Sequence, residues 1–380
     1  MKICNLVTNS LKKDPRVIKQ IKIALENKFD VDFIGMMDEN YDKEFLDSVG
    51  CTYTLINTKQ FFGDCALNVW DKLKRRYLGA KMMYDRILES RPDVIHANDF
   101  DTLPSAYLAA KKLECAVVYD SHEIFAENIG IADKKLVKKL IIVAERYMIR
   151  RVDRVISVSH AAAKYLGNKY GIEEPRVITN CPYMVGVGSK KSKDEFEVLY
   201  HGWITRGRGY EEFVEAASLL GENEITFAIR GYGNILEKLV AIARAKKVTD
   251  RVRFYEPVEI AELVPEAATS SVGIVITKPV NLNFRLSVSN KLFEYLHAGL
   301  PVIMSDIDEH RYLNEKYHFG IILHDVTPKA IAEAAEKLYA DSELYNDLKA
   351  NAVKAADELC WQNEGLKLLE IYREAEKSNG

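Results

Sequence analysis

Residues 287–303, SVSNKLFEYLHAGLPVI, admit few folds. Ser287, Ser289 and Asn290 are short polar residues whose side chains accept from free backbone N–H groups, so they predict a helix start. Residues 291–298 then follow helical spacing, with Leu292, Phe293 and Leu296 on one face and Lys291, Glu294 and His297 elsewhere. Gly299 predicts the stop, because glycine takes the left-handed conformation freely. The apolar run 300–304 suits a strand buried on both faces, which belongs to a parallel sheet. A polar loop thus aims a helix N-terminus outward, with the carboxylate of Glu294 about one turn in. Free N–H groups and the helix dipole favour an anion at such an end. A carboxylate one turn further along can take two vicinal hydroxyls. Phosphate followed by ribose fits this pattern; a cap and a surface Glu on an ordinary packed helix is the other reading.

The chain has 380 residues, enough for two domains, and is 48% hydrophobic and 29% charged. No apolar run approaches a membrane span, and the N-terminus reads as a first strand rather than a signal peptide. Six cysteines without a CxxC pair predict a reducing compartment and no zinc site. The expected location is therefore the cytoplasm. The net charge of −3 hides an asymmetry. Residues 1–180 hold 29 Lys and Arg against 25 Asp and Glu, and the remainder 24 against 31. Two halves with different surfaces follow.

In the first half, residues 2–7 and 31–34 read as strands around an amphipathic helix that starts at Asp14-Pro15-Arg16. The Gly-x-Gly-x-x-Gly of a dinucleotide fold is missing, which disfavours NAD. Two further helices, 70–89 and 133–151, carry many Lys and Arg. The second surrounds an apolar face of Leu136, Leu140, Ile141, Val143, Ala144 and Met148. Phe61, Phe62, Trp70 and Tyr77 lie near the first. Solvated helix faces account for such runs, and so does contact with an anionic membrane surface. The half is too weakly basic for nucleic acid. Strands at 93–97 and 116–119 end in Asn98-Asp99 and in Asp120-Ser121-His122-Glu123. Ligands of open parallel sheets bind beyond the carboxyl ends of strands, so both clusters are well placed.

In the second half, a strand at 198–200 leads into HGWITRGRG, residues 201–209, and then a helix. Glycines such as Gly202 let a ligand approach the backbone, and Arg206 and Arg208 can grip phosphate with forked hydrogen bonds. Cations at a helix start oppose the dipole, which argues for a bound anion. A strand at 225–230 leads to Gly231-Tyr232-Gly233. A polar stretch at 186–193 predicts a linker. The expected domains are 1–184, joined by the last helix 361–380, and 194–358.

The stretch SNKLFEYLHAGLPVI resembles the nucleotide-sugar motif of glycosyltransferase family 4, in the variant written Pro-Asn-Lys-Leu-Phe-Glu-Tyr. The resemblance covers about nine-tenths of the chain. It implies a GT-B fold, an α/β architecture of two Rossmann-like domains with parallel sheets facing across a cleft and a C-terminal helix crossing back. Within it, 201–209 resembles the diphosphate loop and 231–233 the second glycine loop. The family's loop Arg falls on Trp203 and its Lys on Arg208, with Arg206 able to supply the missing charge. Gly202, Arg206, Arg208, Gly231, Ser289, Asn290, Lys291 and Glu294 then hold a nucleotide diphosphate sugar, either a UDP- or a GDP-sugar. His122 matches the family's His that reaches the donor sugar, or it merely holds its loop. Arg16, Asp99, Glu123 and Asn283 are candidates for acceptor or sugar contact. The family's first Glu of Glu-x7-Glu is Leu286 here, so the donor sugar stays open.

The activity implied is metal-independent, retaining hexosyl transfer in polysaccharide biosynthesis of the cell envelope. His122, Arg208 and Glu294 are its expected catalytic groups. No cofactor is expected, and the acceptor is a glycan or lipid-linked glycan at the inner membrane face. A GT-B epimerase or hydrolase, and a non-catalytic sugar- or partner-binding subunit of a synthase complex, are the alternatives. Leu366, Leu369 and Tyr372 are expected to pack the final helix, which starts near Trp361, and His96 to cap its own strand end.

Overall fold

Apolar runs alternating with amphipathic segments become strands alternating with helices, and all the strand pairings are parallel. The computed structural model describes residues 1–61, 68–128, 130–184, 195–222 and 224–378. Among these residues, the first sheet holds β1 (Lys2–Leu6), β2 (Asp30–Met36), β3 (Thr52–Ile56), β4 (Val94–Asn98), β5 (Ala116–Ser121), β6 (Arg154–Ser157) and β7 (Arg176–Val177), in the order β3-β2-β1-β4-β5-β6-β7. The second holds β8 (Phe196–Trp203), β9 (Ile225–Tyr232), β10 (Val252–Tyr255), β11 (Val272–Val275), β12 (Val302–Ser305) and β13 (Gly320–Leu323), in the order β10-β9-β8-β11-β12-β13. Each order reverses once, between β1 and β4 and between β8 and β11. Such reversals open crevices at the carboxyl ends of the strands.

Packing divides the chain into Met1–Thr179 with everything from Glu364 onward, and Asn180–Asn363. Residues 180–184 go with the second unit, earlier than the expected edge at 184. Cys181 is buried in that unit's core, and the Pro182 carbonyl accepts from the Trp361 N–H at 2.8 Å. The linker expected at 186–193 lies outside the described residues, as does Phe62.

The first helix, Pro15–Glu26, starts as expected: the Asp14 carboxylate accepts from the Val17 N–H at 3.2 Å. Helices after strands that step one way across a sheet lie on one face, because parallel crossovers are right-handed. Val69–Ser90, Asp99–Leu113 and Lys135–Ile149 therefore share one face of the first sheet. Of the expected apolar face of the last of these, Met148 alone is buried. Across the whole helix, the buried residues are Glu145, Met148 and Ile149.

The final helix, Trp361–Ser378, turns out differently from expectation at one residue. Leu369 and Tyr372 are buried, but Leu366 is 61% exposed. The buried stripe passes instead through Glu364, whose carboxylate accepts from the Thr179 N–H at 2.6 Å, and then through Leu368, Ile371 and Ala375. Leu366 falls on the far side of that stripe. His96 does not cap its strand; its Nδ1 lies 2.7 Å from the Tyr372 hydroxyl.

In the second unit, Asn290–His297 packs Leu292, Phe293, Tyr295 and Leu296 into the core. His297 is buried too, because its Nε2 finds the Leu359 carbonyl at 2.9 Å. The two glycine loops lie backbone on backbone. Ile204 N–H donates to the Tyr232 carbonyl at 2.8 Å. A Cβ on Gly231, where φ is +143°, would stand 2.0 Å from the Gly202 carbonyl oxygen. Gly231→Ala must push the loops apart and take a strained backbone, so it should cost the C-terminal unit about 3 kcal/mol. Urea unfolding would read this as a lower midpoint, and an unchanged midpoint would contradict the packing argument.

Candidate functional site

Strand β8 runs on past Tyr200, so His201 and Gly202 are its last residues before Trp203. Gly202 has φ +106°, and a Cβ there would lie 2.6 Å from Lys291 Cε and 2.8 Å from Nζ. The missing side chain therefore gives the Lys291 ammonium its place. Lys291 stands in the first turn of Asn290–His297, and Glu294 three residues on shares its face. The Glu294 carboxylate lies 2.7 Å from His201 Nε2. His201 is fully buried; its N–H donates to the Tyr295 hydroxyl at 2.9 Å and its ring stacks on that of Tyr295 at 4.5 Å. The helix and strand thus clamp the histidine that clamps the glutamate.

Arg208 arrives from the loop after β8. Its Nη1 donates to Thr277 Oγ1 at 2.7 Å, and its guanidinium sits 4.3 Å from the centre of the Phe284 ring. Thr277 follows β11, so this contact bridges the point where the strand order reverses. Neither Arg208 nor Lys291 has an ion-pair partner among the described residues. Burial, with Arg208 adding to it, outweighs Glu294 and pulls Lys291 down to about 8. Two cations without an ion-pair partner, with the Glu294 carboxylate one turn along, suit an anion that carries neighbouring hydroxyls.

Ser289 occupies the N-cap of the Asn290–His297 helix without a side-chain cap bond, and Asn290 is the first helical residue. Arg206 is exposed. Gly231 packs on Gly202, so its first duty is to the loop itself. In the stretch before Leu286, Asn281 accepts from the Phe284 N–H at 2.8 Å and Arg285 pairs with Asp308 at 3.2 Å. Asn283 lies in the short helix between them, and Leu286 is buried. Sequence reasoning passed over His201 and Thr277. The available signal was polar residues directly after apolar strand runs.

In the first unit, β4 and β5 are neighbours with Asn98 opposite Asp120, which brings Asp99 and His122 side by side. The His122 N–H donates to Asp99 Oδ1 at 3.0 Å, and its Nδ1 lies 3.3 Å from Oδ2. Its Nε2 lies 3.1 Å from Asn98 Oδ1 and 3.4 Å from Asp120 Oδ2. Burial alone would lower the imidazole, but Asp99 and Asp120 overcome it and hold His122 up at about 10. Asp99 itself takes a left-handed φ of +61° to start its helix. Glu123 is raised by burial and by Asp99, and accepts from Asn128.

Arg16 is a correction. Expected to contact the acceptor or sugar, it is instead bonded within its own unit. It is buried, donating to Asp120 from Nε at 2.9 Å and Nη2 at 2.8 Å, and to the Ile178 carbonyl from Nη1 at 2.7 Å. Gln20 adds a bond to Asp120 at 2.7 Å. Asp120 is held well below the usual carboxylate range: burial works against its charge, and Arg16 with His122 overcomes it. Arg16 thus anchors the carboxylate that helps anchor His122.

Residues 22–181 match the family model described as Glycosyltransferase Family 4, and residues 187–355 match the one described as Glycosyl transferases group 1. This chain belongs to glycosyltransferase family 4. The family 4 chain is similar to the D-inositol 3-phosphate glycosyltransferase of Paenarthrobacter aurescens, at 25% identity over 256 residues. That match spans 61% of this chain and 60% of the relative's length. It is similar in structure to a glycosyltransferase from Rickettsia africae, with 15% identity, a TM-score of 0.74 and 98% of both chains covered. It is likewise similar to HepE of Anabaena in complex with UDP and glucose, with 14% identity, a TM-score of 0.72, and 97% of this chain and 98% of that one covered. These structures establish the GT-B fold.

Three Asp-x-Asp tripeptides occur in the family 4 chain, at 30–32, 99–101 and 306–308. No group of three His, Cys, Asp or Glu side chains able to hold a metal forms among the described residues. Asp32 bonds Lys2, and Asp306 and Asp308 bond Arg311.

The charged state of His122 has a measurable consequence. Its value in the fold stands above the ordinary 6.5, so the stability it contributes is whole below pH 6.5 and is lost as pH rises toward 10. Denaturant unfolding from pH 6 to 10 should show wild type losing stability relative to His122→Gln across that window. A constant difference would mean that the imidazolium is not held.

Proposed function

We propose that this chain moves a sugar from a nucleotide diphosphate sugar to a glycan or lipid-linked acceptor, with retention and without a bound metal ion. The carrying observation is the cation pair Arg208 and Lys291, which has no ion-pair partner among the described residues and sits beside Glu294. A diphosphate supplies the missing charge, and Glu294 takes the ribose hydroxyls. UDP and GDP are the candidate carriers, and the HepE structure with UDP and glucose supports a nucleotide donor.

As the bond to the anomeric carbon breaks, negative charge grows on the leaving diphosphate. Cations already in place stabilise that charge without having to reorganise, and this is where catalytic energy is best applied. His122 contributes as a cation: an imidazolium donates to a sugar hydroxyl and cannot serve as a general base at neutral pH. The departing phosphate oxygen then takes the acceptor's proton, so the oxocarbenium-like step needs no protein base. Asp99 and Glu123 are the candidates for acceptor contact. Work at the inner face of the cell membrane suits a lipid-linked acceptor. Leu286 favours a second reading, since it leaves no carboxylate where many family members read the sugar. In that reading water replaces the acceptor, as in an epimerase or hydrolase.

Thermal unfolding with UDP, GDP, ADP and CMP tests the site. Ligand at about 100 times its Kd should stabilise by roughly 2.7 kcal/mol. One diphosphate should shift wild type, and Glu294→Ala should lose most of that shift. If none shifts wild type, the nucleotide-sugar reading fails. A second check uses Lys291. A bound diphosphate pulls its value from about 8 back toward the ordinary 10.5, so binding at pH 9 should take up a proton. Calorimetry in two buffers of different ionisation heat would measure the uptake, which Lys291→Met should abolish.

A further inference from the structure

The helix Lys135–Ile149 turns its apolar residues outward. Leu136, Leu140, Val143 and Tyr147 form one stripe at helical spacing and are 72%, 62%, 59% and 51% exposed. A helix that served only the core would show the reverse. Lys134, Lys135 and Lys139 beside the stripe have no ion-pair partner among the described residues, and the first turn holds no acid. Cations at a helix start oppose its dipole, so they do not serve the helix. They suit an anion outside it.

The same features recur on the neighbouring helices. On Val69–Ser90, Trp70, Leu73 and Tyr77 are 74%, 51% and 72% exposed, interleaved with Lys72, Lys74 and Arg76. Asp99–Leu113 lies between the two and exposes Leu108. It joins one neighbour through the Ser105 hydroxyl on the Ala80 carbonyl at 2.9 Å, and the other through the Tyr107 and Tyr147 rings at 6.0 Å. The three helices share a face of the sheet and all follow parallel strands, so their N-terminal ends lie toward the carboxyl edge where Asp99 and His122 sit.

We propose that this helix layer is a docking face for an anionic lipid bilayer. Its apolar stripes enter the headgroup boundary while the free lysines meet lipid phosphates. Protein interface cores are depleted in Lys, whereas exposed Trp and Tyr are enriched at membrane interfaces. The inference rests on the surface alone and stands apart from the donor site.

Flotation of the full chain with phosphatidylcholine vesicles, with and without phosphatidylglycerol, tests it. Wild type should float only with the anionic vesicles, and less as salt rises. K134Q/K135Q/K139Q should weaken partitioning roughly a hundredfold, at about fivefold per cation. L136S/L140S/V143S should abolish it, while both variants keep the wild-type melting curve. Wild type that stays unbound, or variants that float like wild type, would overturn the proposal. So would a concentration-dependent dimer lost in the serine variant without any vesicle binding, which would assign the face to a second copy.

Discussion

Placing Lys291 near Arg208 costs free energy, since burial disfavours the charged ammonium, Arg208 repels it, and Glu294 offsets only part of this. The surrounding structure holds them there. Thr277 and Phe284 fix the guanidinium, and the bare Cα of Gly202 makes room for the ammonium. Engagement by His201 orients Glu294. For the nucleotide diphosphate proposed as donor, that unfavourable term would turn into binding energy, because its charge would be met by groups already in position.

In the N-terminal unit, carboxylates gather around the His122 imidazolium. Asp120 is the hub. It accepts from Arg16 and Gln20 deep in the core and presents its remaining charge to His122, while Asp99 closes on the ring from the other side. A buried carboxylate so fully bonded keeps its ionisation, and the histidine keeps its proton. The Arg16–Asp120 pair also ties the first helix to β5, so the charge state of His122 depends on the core as well as on its immediate neighbours.

Parallel topology links these local facts to the surfaces. Because all the paired strands run in parallel, polar strand ends gather at one edge of each sheet, and helix N-termini gather there with them. In the second sheet this sets Arg208 against Thr277 across the reversal point. In the first it sets Asp99 against His122, and it brings the starts of the basic, outward-facing helices to that same edge.

Much was legible without coordinates. Cap, helix, glycine stop and apolar run at 287–303 are local signals with local causes, so the Asn290–His297 helix and β12 followed from the sequence, as did the start of the first helix at Asp14-Pro15. The residue types of the candidate site were legible too, since Arg208, Lys291 and Glu294 lie in short recognisable stretches. Periodicity, however, does not say which partner a face will find. The stripe at 136–147 has the spacing of a core helix, yet it faces outward because its helix docks through Met148 and Ile149. Arg16 looked like a ligand group and is buried because Asp120, more than a hundred residues away, needs a cation. His201 gained its role from a glutamate ninety-three residues on, Gly231 from the close approach of a second loop, and Leu366 lost its expected burial to Glu364. The sequence alone determined elements whose causes lie within one turn or one strand. The tertiary structure decided every role that depends on a distant charge or a neighbouring backbone, because those energies exist only once the chain is folded.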